Sequence, residues 1–364
     1  MKIFNNGTKP VLIWLYTGMF MVFAMILIGA ITRLTESGLS ITEWKVASGT
    51  IPPLNEEDWA EEFLKYQQSP EYQVKNIGME LSEFKQIFFW EWFHRFWGRL
   101  IGVVFIIPFF IFLKRGYFKG NFAFRLFFIF ILGGFQAFLG WWMVKSGLVD
   151  IPRVSHYRLA AHLSTALLLL CLIYWTILDI KYPRLTHLKD KFKSGKILFK
   201  VGFVILCIQI IYGAFVAGRD AGQEYNTWPK MNEEWVKEGI FSSHNRPAYY
   251  NIIGEPIPDE MDPNSGYPNN GGIQFIHRWL AFVVYFWVWI VWIFSRVKHL
   301  RVDQKRSSSL MLLFVHAQVL LGIFTLLYHV PISLGVLHQA VAVLLLCSSL
   351  LYYHQLRGSE YKEN

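Results

Sequence analysis

The sequence predicts an all-α membrane protein with eight transmembrane helices, arranged as two pseudo-symmetric four-helix bundles in a parallel internal repeat. Three observations carry this expectation. Of 364 residues, 54% are hydrophobic and only 17% charged, whereas a soluble domain carries roughly 25% charged residues. Eight apolar runs reach the length of about 20 residues that a bilayer core requires. Landmark residues of the first four runs also reappear at near-constant spacing in the last four.

The expected spans are 11–32, 88–113, 122–144, 157–179, 197–217, 274–295, 308–328 and 334–354. The first span lacks a signal-peptide cleavage pattern and is expected to be retained. With the N-terminus inside, the inner segments hold 20 Lys and Arg against 5 acids, a net +15. The outer segments hold 15 against 21, a net −6. This is the positive-inside bias, and it places both termini inside. The overall +9 charge therefore orients the chain in a lipid membrane and implies no nucleic-acid partner. Three Cys, all in spans, are too few and too dispersed for a disulfide scaffold or a Cys-based zinc site.

Two long outer segments remain. In 33–87, Asn55 precedes EEDWAEEFLKYQQ, which predicts a short amphipathic helix with an Asn cap. LSEFKQIFFWEW then runs into the second span without a break. Residues 218–273 are rich in Gly, Pro and Asn, including Asn269-Asn270-Gly271-Gly272, and read as irregular loop.

The repeat is specific. Gly29-Ala30, Glu36, Gly38 and Trp44 match Gly213-Ala214, Asp220, Gly222 and Trp228 at a spacing of 184. His94-Arg95 matches His277-Arg278, Gln136-x-x-Leu139-Gly140 matches Gln318-x-x-Leu321-Gly322, and His162 matches His338. Each half holds four spans, so both enter the membrane with the same orientation. The expected units are 1–180, carrying outer loop 33–87, and 197–364, carrying outer loop 218–273, each with its own interior site.

His94, His162, His277 and His338 lie near the outer ends of even-numbered spans, two per half. A lone intramembrane His is commonly a hydrogen-bonding residue between helices. Four at repeat-related positions point instead to ligands facing the bundle interiors. Two imidazoles without a Cys or carboxylate cluster suit a haem iron with two axial His better than zinc, which takes three or four protein ligands. Arg95, Arg99, Arg158 and Arg278 share this depth; they either pair with haem propionates or snorkel to the interface. The halves differ chemically. Glu91 lies one turn before His94 on the same helix face, and its repeat equivalent, Gln274, cannot ionise. Arg99 becomes Phe282, and Arg158 becomes Leu334. The first half is expected to do chemistry and the second to store electrons. The alternative for Glu91 is an interfacial carboxylate paired to Arg95.

Specific stretches match a known family. They are Thr32-Arg33-Leu34-Thr35-Glu36-Ser37-Gly38-Leu39-Ser40-Ile41 with Glu43-Trp44-Lys45, Ile51-Pro52-Pro53-Leu54 and Pro70-Glu71-Tyr72-Gln73. The match continues through Glu83-Phe84-Lys85, His94-Arg95, Arg153-Val154-Ser155 and Tyr157-Arg158-Leu159-Ala160-Ala161-His162. It ends with Asp220-Ala221-Gly222, Tyr225-Asn226-Thr227-Trp228-Pro229 and His338-Gln339-Ala340. The chain resembles the haem A synthase family, in the form shared by alpha-proteobacterial and mitochondrial members. The resemblance implies an oxidoreductase that converts the C8 methyl of haem O to the formyl of haem A, through a hydroxymethyl intermediate and a gem-diol that loses water. It implies that His94 and His162 hold the substrate haem O, with Arg95, Arg99 and Arg158 nearby. His277 and His338, with Arg278, would bind a haem b cofactor, and Glu91 matches the family's essential carboxylate. It further implies an upstream haem O synthase (a farnesyltransferase), an electron donor or acceptor, and a role in cytochrome oxidase assembly. The implied location is the bacterial inner membrane, with both termini cytoplasmic; a homo-oligomer is left open.

Three features depart from the family pattern: His156 where Pro is expected, Arg219 where Leu is common, and a long loop at 232–270. His156 is expected to be a solvated loop residue rather than a further ligand. The loop cysteine pair of some relatives is absent, which excludes a thiol relay there. Two other classes compete with the main reading. A dihaem cytochrome b-type electron-transfer subunit would explain the four His but not Glu91 against Gln274. A haem or metal permease would explain the repeat, but would place its polar groups nearer the membrane midplane.

Overall fold

The computed structural model describes residues 8–44, 48–148, 152–183, 193–241 and 270–357. In chain order its α-helices are Thr8–Leu34 (α1), Glu56–Gln67 (α2), Pro70–Val74 (α3), Leu81–Lys114 (α4), Gly120–Lys145 (α5), His156–Lys181 (α6), Lys193–Gly218 (α7), Asn270–Val297 (α8), Val302–Leu327 (α9) and Ile332–Leu356 (α10). The eight long ones are long and apolar enough to cross a membrane, and the chain is an integral multi-pass membrane protein. Seven of the expected spans lie wholly inside these helices; the other overruns α9 only by its C-cap, Tyr328.

The helices close into two groups. In the first, α1 packs on α4 and α6, and α5 packs on α4 and α6. In the second, α8 joins α7 to α9, and α10 packs on α9 and α7. The groups meet where α6 packs on α7, and α10 on α1 and α6. The most apolar windows of the first and fourth spans are 44% buried, against 6% for the second and 17% for the third and seventh. The packed core therefore sits at the junction between the groups, while their outer helices present apolar side chains to lipid.

Ionic contacts tie the groups together at both ends. At one end, Asp220 accepts from Arg33 at 2.7 Å and also pairs with Arg153. At the opposite end, Asp179 of α6 accepts from Arg125 of α5 at 2.7 Å and from His354 Nε2 of α10 at 3.0 Å.

The described part of loop 33–87 carries the expected capped helix; residues 45–47 lie outside the described residues. The Asn55 side chain caps α2 by accepting from the Asp58 N–H at 2.8 Å. Tyr66, Phe84 and Phe88 form a buried aromatic cluster that holds α2 on the outer extension of α4. The expected loop at Asn270-Gly271-Gly272 is instead the first turn of α8. Gly272 serves close packing rather than a turn: a Cβ on it would lie 2.9 Å from the Ile240 carbonyl oxygen. Of the long loop at 232–270, residues 242–269 lie outside the described residues.

Pro108 sits inside α4 and has no N–H for the Val104 carbonyl one turn earlier. Trp14 of α1 supplies the missing donor, its Nε1 lying 3.1 Å from Val104 O. Trp14→Phe is expected to destabilise the protein by about 1–3 kcal/mol, the cost of leaving a buried carbonyl unpaired. Thermal unfolding in detergent checks this. In a Pro108→Ala background, where the helix supplies its own donor, the loss should shrink by more than half.

Candidate functional site

Each of the four histidines lies against a glycine on the preceding long helix. A Cβ on Gly29 of α1 would stand 3.4 Å from His94 Nε2, and one on Gly140 of α5 would stand 3.4 Å from His162 Cε1. In the second group, a Cβ on Gly213 of α7 would stand 3.1 Å from His277 Cε1, and one on Gly322 of α9 would stand 3.0 Å from His338 Cε1. The absent side chains make room for imidazoles at helix crossings. His94 and His162 lie close enough to interact electrostatically, and so do His277 and His338. All four are half-buried.

Glutamines hold the histidines. Gln318 donates to His338 Nε2 at 3.2 Å, and Gln209 donates to the His277 carbonyl at 2.9 Å. Gln136, with its amide turned so that both ends find partners, donates to His162 Nδ1 at 2.9 Å. The Nδ1 atoms of His277 and His338 are buried and have no hydrogen-bond partner among the described residues. A buried imidazole nitrogen without a partner is costly in a membrane and suits a metal-bound state. No group of three or more His, Cys, Asp or Glu able to hold a metal occurs among the described residues. The donor chemistry on offer is thus two imidazoles per group, which fits a haem iron.

Glu91 is buried and fully engaged. Its Oε2 accepts from Ser40 Oγ and from the Ile41 N–H, both at 2.7 Å, and its Oε1 accepts from Arg95 at 2.6 Å. Arg95 also donates to the carbonyls of Ile41 (3.1 Å) and Glu43 (3.2 Å), and stacks on Trp44 at 4.8 Å. The pairing with Arg95 weighed as an alternative does form, and the same carboxylate also fastens the first outer loop over α4.

The frame recurs around Gln274. Its Nε2 donates to the Tyr225 carbonyl at 3.3 Å, and Arg278 donates to the same carbonyl at 2.5 Å. Ile41 and Tyr225 are 184 residues apart, the same spacing as Gly29 and Gly213. Glu36 and Asp220, also 184 apart, both adopt left-handed backbone just beyond α1 and α7. In this shared frame one half carries an ionisable carboxylate and the other a neutral amide.

The arginines divide. Arg158 donates to the Trp142 carbonyl at 2.6 Å and stacks on that indole at 4.5 Å. Arg278 has a buried Nε without a partner among the described residues. Arg99 lies one turn below Arg95 on α4, and the two guanidinium groups interact electrostatically. The expectation for His156 is corrected: it is buried, packed edge-on to Phe215 of α7 with ring centroids 5.5 Å apart, and Gly218 approaches it. It fills the contact between the two groups because α6 begins there and leans on the end of α7. Arg219 is also buried, donating from Nε to Asn270 Oδ1 at 2.9 Å.

Reasoning from sequence missed Ser40 and Ile41 as partners of Glu91, and the pairing of each histidine with a glycine. The signal was present: Ser40 and Ile41 lie in the first-loop motif, and Gly29, Gly140, Gly213 and Gly322 are all repeat positions.

Residues 12–350 match the COX15-CtaA family, described as cytochrome oxidase assembly protein. The chain is 40% identical to a heme A synthase of Flavobacterium psychrophilum, over 96% of this chain and 99% of that protein. It is 41% identical to a heme A synthase of Nitrosospira multiformis, over 96% and 94% of the two chains. It is also 41% identical to heme A synthase COX15 of Arabidopsis thaliana, over 97% of this chain and 76% of that one. With a match running from the first span to the last, across both histidine pairs and the Glu91 frame, the chain belongs to the COX15-CtaA family of cytochrome oxidase assembly proteins.

Proposed function

We propose that this protein is a haem A synthase, an oxidoreductase that converts the C8 methyl group of haem O to a formyl group. The observation that carries the reading is the buried carboxylate of Glu91 one turn before His94, where Gln274 stands before His277. The N-terminal half, 1–180, takes haem O as substrate between His94 and His162; the C-terminal half, 197–364, holds haem b between His277 and His338. When bound, haem b supplies a one-electron redox centre.

The chain's own residues bind, orient and handle protons. His94 and His162 fix the substrate ring at a depth set by Gly29 and Gly140. Arg99 and Arg158 lie near enough to the outer face to meet propionates, as does Arg278 through its unpartnered Nε. Arg95 acts through Glu91 and the loop, because its guanidinium is already engaged there. Oxidising a methyl group moves protons as well as electrons, and Glu91 is the ionisable carboxylate one helical turn from His94. Ser40 and the Ile41 N–H hold it in place, and at 2% exposure it is shielded from bulk water.

Four histidines alone would equally suit a dihaem electron-transfer subunit, but that reading gives the carboxylate no task. The positive-inside charge bias supports an orientation with both termini on the cytoplasmic side, and the family resemblance supports a bacterial inner membrane. A farnesyl-transferring haem O synthase is the upstream partner, and an electron acceptor or donor is required.

The test is extracted-pigment chromatography on membranes from a host that supplies haem O. Haem A or its hydroxylated precursor is expected; neither appearing above an empty-vector control overturns the assignment. The close glycine contacts give a second prediction. Gly213→Ala and Gly322→Ala each force a histidine ring aside, at about 1–2 kcal/mol of overpacking, so b-type haem retained per protein should fall by about tenfold. Gly18→Ala, where a Cβ meets nothing within 4 Å, should retain haem b as the parent does.

A further inference from the structure

The two halves differ in a second place, the seam between their second and third long helices. In the second group that seam is closed. Tyr285 of α8 and His316 of α9 meet across it, with the hydroxyl 3.0 Å from His316 Nε2. His316 Nδ1 lies 2.6 Å from the Leu312 carbonyl of its own helix and can only donate there, so Nε2 accepts from Tyr285. Trp289 of α8 packs edge-on to the same imidazole, with ring centroids 5.7 Å apart. The neighbouring Val315 is 1% exposed.

The spacings that relate His94 to His277 and Gln136 to Gln318 carry Tyr285 onto Gly102, Val315 onto Gly133 and His316 onto Gly134. A Cβ on any of these three glycines would meet nothing within 4 Å. Gly102 and Gly134 are exposed, and α4 packs on α5 far more sparsely than α8 on α9. Glycines in a membrane helix ordinarily let two backbones approach closely; these leave an opening instead. On one side it ends at Phe105 of α4 stacked on Phe130 of α5, ring centroids 6.4 Å apart, one turn from Gly102 and Gly134. On the other side lies the histidine pair, with His94 eight residues before Gly102, about 12 Å along α4.

We propose that these positions sort the two haems: the opening at Gly102, Gly133 and Gly134 receives the isoprenoid chain of haem O, and the Tyr285–His316 bridge excludes that chain from the second half. The inference rests on the haem A synthase reading for the identity of the two haems. Haem O carries the long chain that a farnesyl transfer attaches; haem b has none and needs no such room. The chain gains little by leaving lipid, which is as apolar as the opening. Selection is therefore steric. A filled seam pushes the chain, and the ring with it, away from the histidines.

The experiment uses the purified full-length protein with haem b already in the second pair. A further equivalent of haem O or of haem b is titrated in and read by absorption. Gly102→Tyr with Gly134→His transplants the bridge into the first half. It should weaken haem O uptake about tenfold or more and leave haem b uptake within about twofold of the parent. Gly102→Leu, which fills the opening without adding a polar group, should shift the ratio the same way. Gly134→Ala, too small to fill it, should keep the parent ratio. In reverse, Tyr285→Gly with His316→Gly in a His94→Ala background should retain more haem O than His94→Ala alone, in a host supplying both haems. The haem b spectrum of the second pair reports folding in the glycine variants. A transplanted bridge that leaves the ratio of haem O to haem b uptake at the parent value overturns the proposal. Equal loss of both haems overturns it too, since the glycines would then only space the helices. If the parent binds haem O with this selectivity yet makes no haem A, the catalytic reading falls and the sorting stands.

Discussion

Glu91→Gln is expected to lower haem A formation by about 100-fold or more while both histidine pairs stay loaded with haem. The amide keeps an oxygen to accept from Ser40 Oγ and the Ile41 N–H, and Arg95 keeps its own bonds to the Ile41 and Glu43 carbonyls, so the loop stays fastened although the Arg95 contact to the side chain is lost. What disappears is the ionisable carboxylate, and the first half then matches the second, where Gln274 already stands. Glu91→Ala is harsher. Like the amide, it leaves the Arg95 guanidinium, whose side chain is only 12% exposed, without its counter-charge, but it also strips Ser40 Oγ and the Ile41 N–H of their acceptor; breaking a buried pair from one side costs about 3–5 kcal/mol. Extracted-pigment chromatography with a parallel b-type absorption spectrum separates these effects. Loss of all bound haem in Glu91→Gln would make the carboxylate structural.

His277→Ala should reduce the b-type spectrum to near background, because a bis-imidazole site with one ligand removed holds its haem weakly. The backbone there should survive the change: Gln209 bonds the His277 carbonyl, not its ring, and Gly213 gains space rather than losing it. His94→Ala should keep the b-type spectrum and lose conversion. An unchanged b-type spectrum in purified His277→Ala would sink the assignment of haem b to the C-terminal half.

The membrane fold was legible because length and hydropathy are local properties. An apolar run of about 20 residues can satisfy its backbone in lipid only as a helix, so the long helices and the Asn55 cap needed no tertiary information. The start of α8 was not legible. Asn-Gly-Gly normally marks a turn, and here its lack of side-chain bulk serves contact with Ile240 and Phe241. His156 was misread for a related reason, since an isolated His in a loop motif gives no sign that Phe215 and Gly218 will cover it. Trp14 and Pro108 are 94 positions apart, and only the packing of α1 on α4 reveals that one supplies the donor the other lacks.

By itself the sequence determined the class of the protein, its eight spans, the four histidines at one depth and the difference between Glu91 and Gln274. These follow from residue type and spacing along single helices. Tertiary structure alone decided what each group touches. It placed a glycine under every histidine, fastened Glu91 to Ser40 and Ile41, and committed Arg95 to the loop. The physical reason is that these contacts join residues far apart in the chain. Helix crossings and the folded outer loop set them, and no periodicity within one segment encodes them.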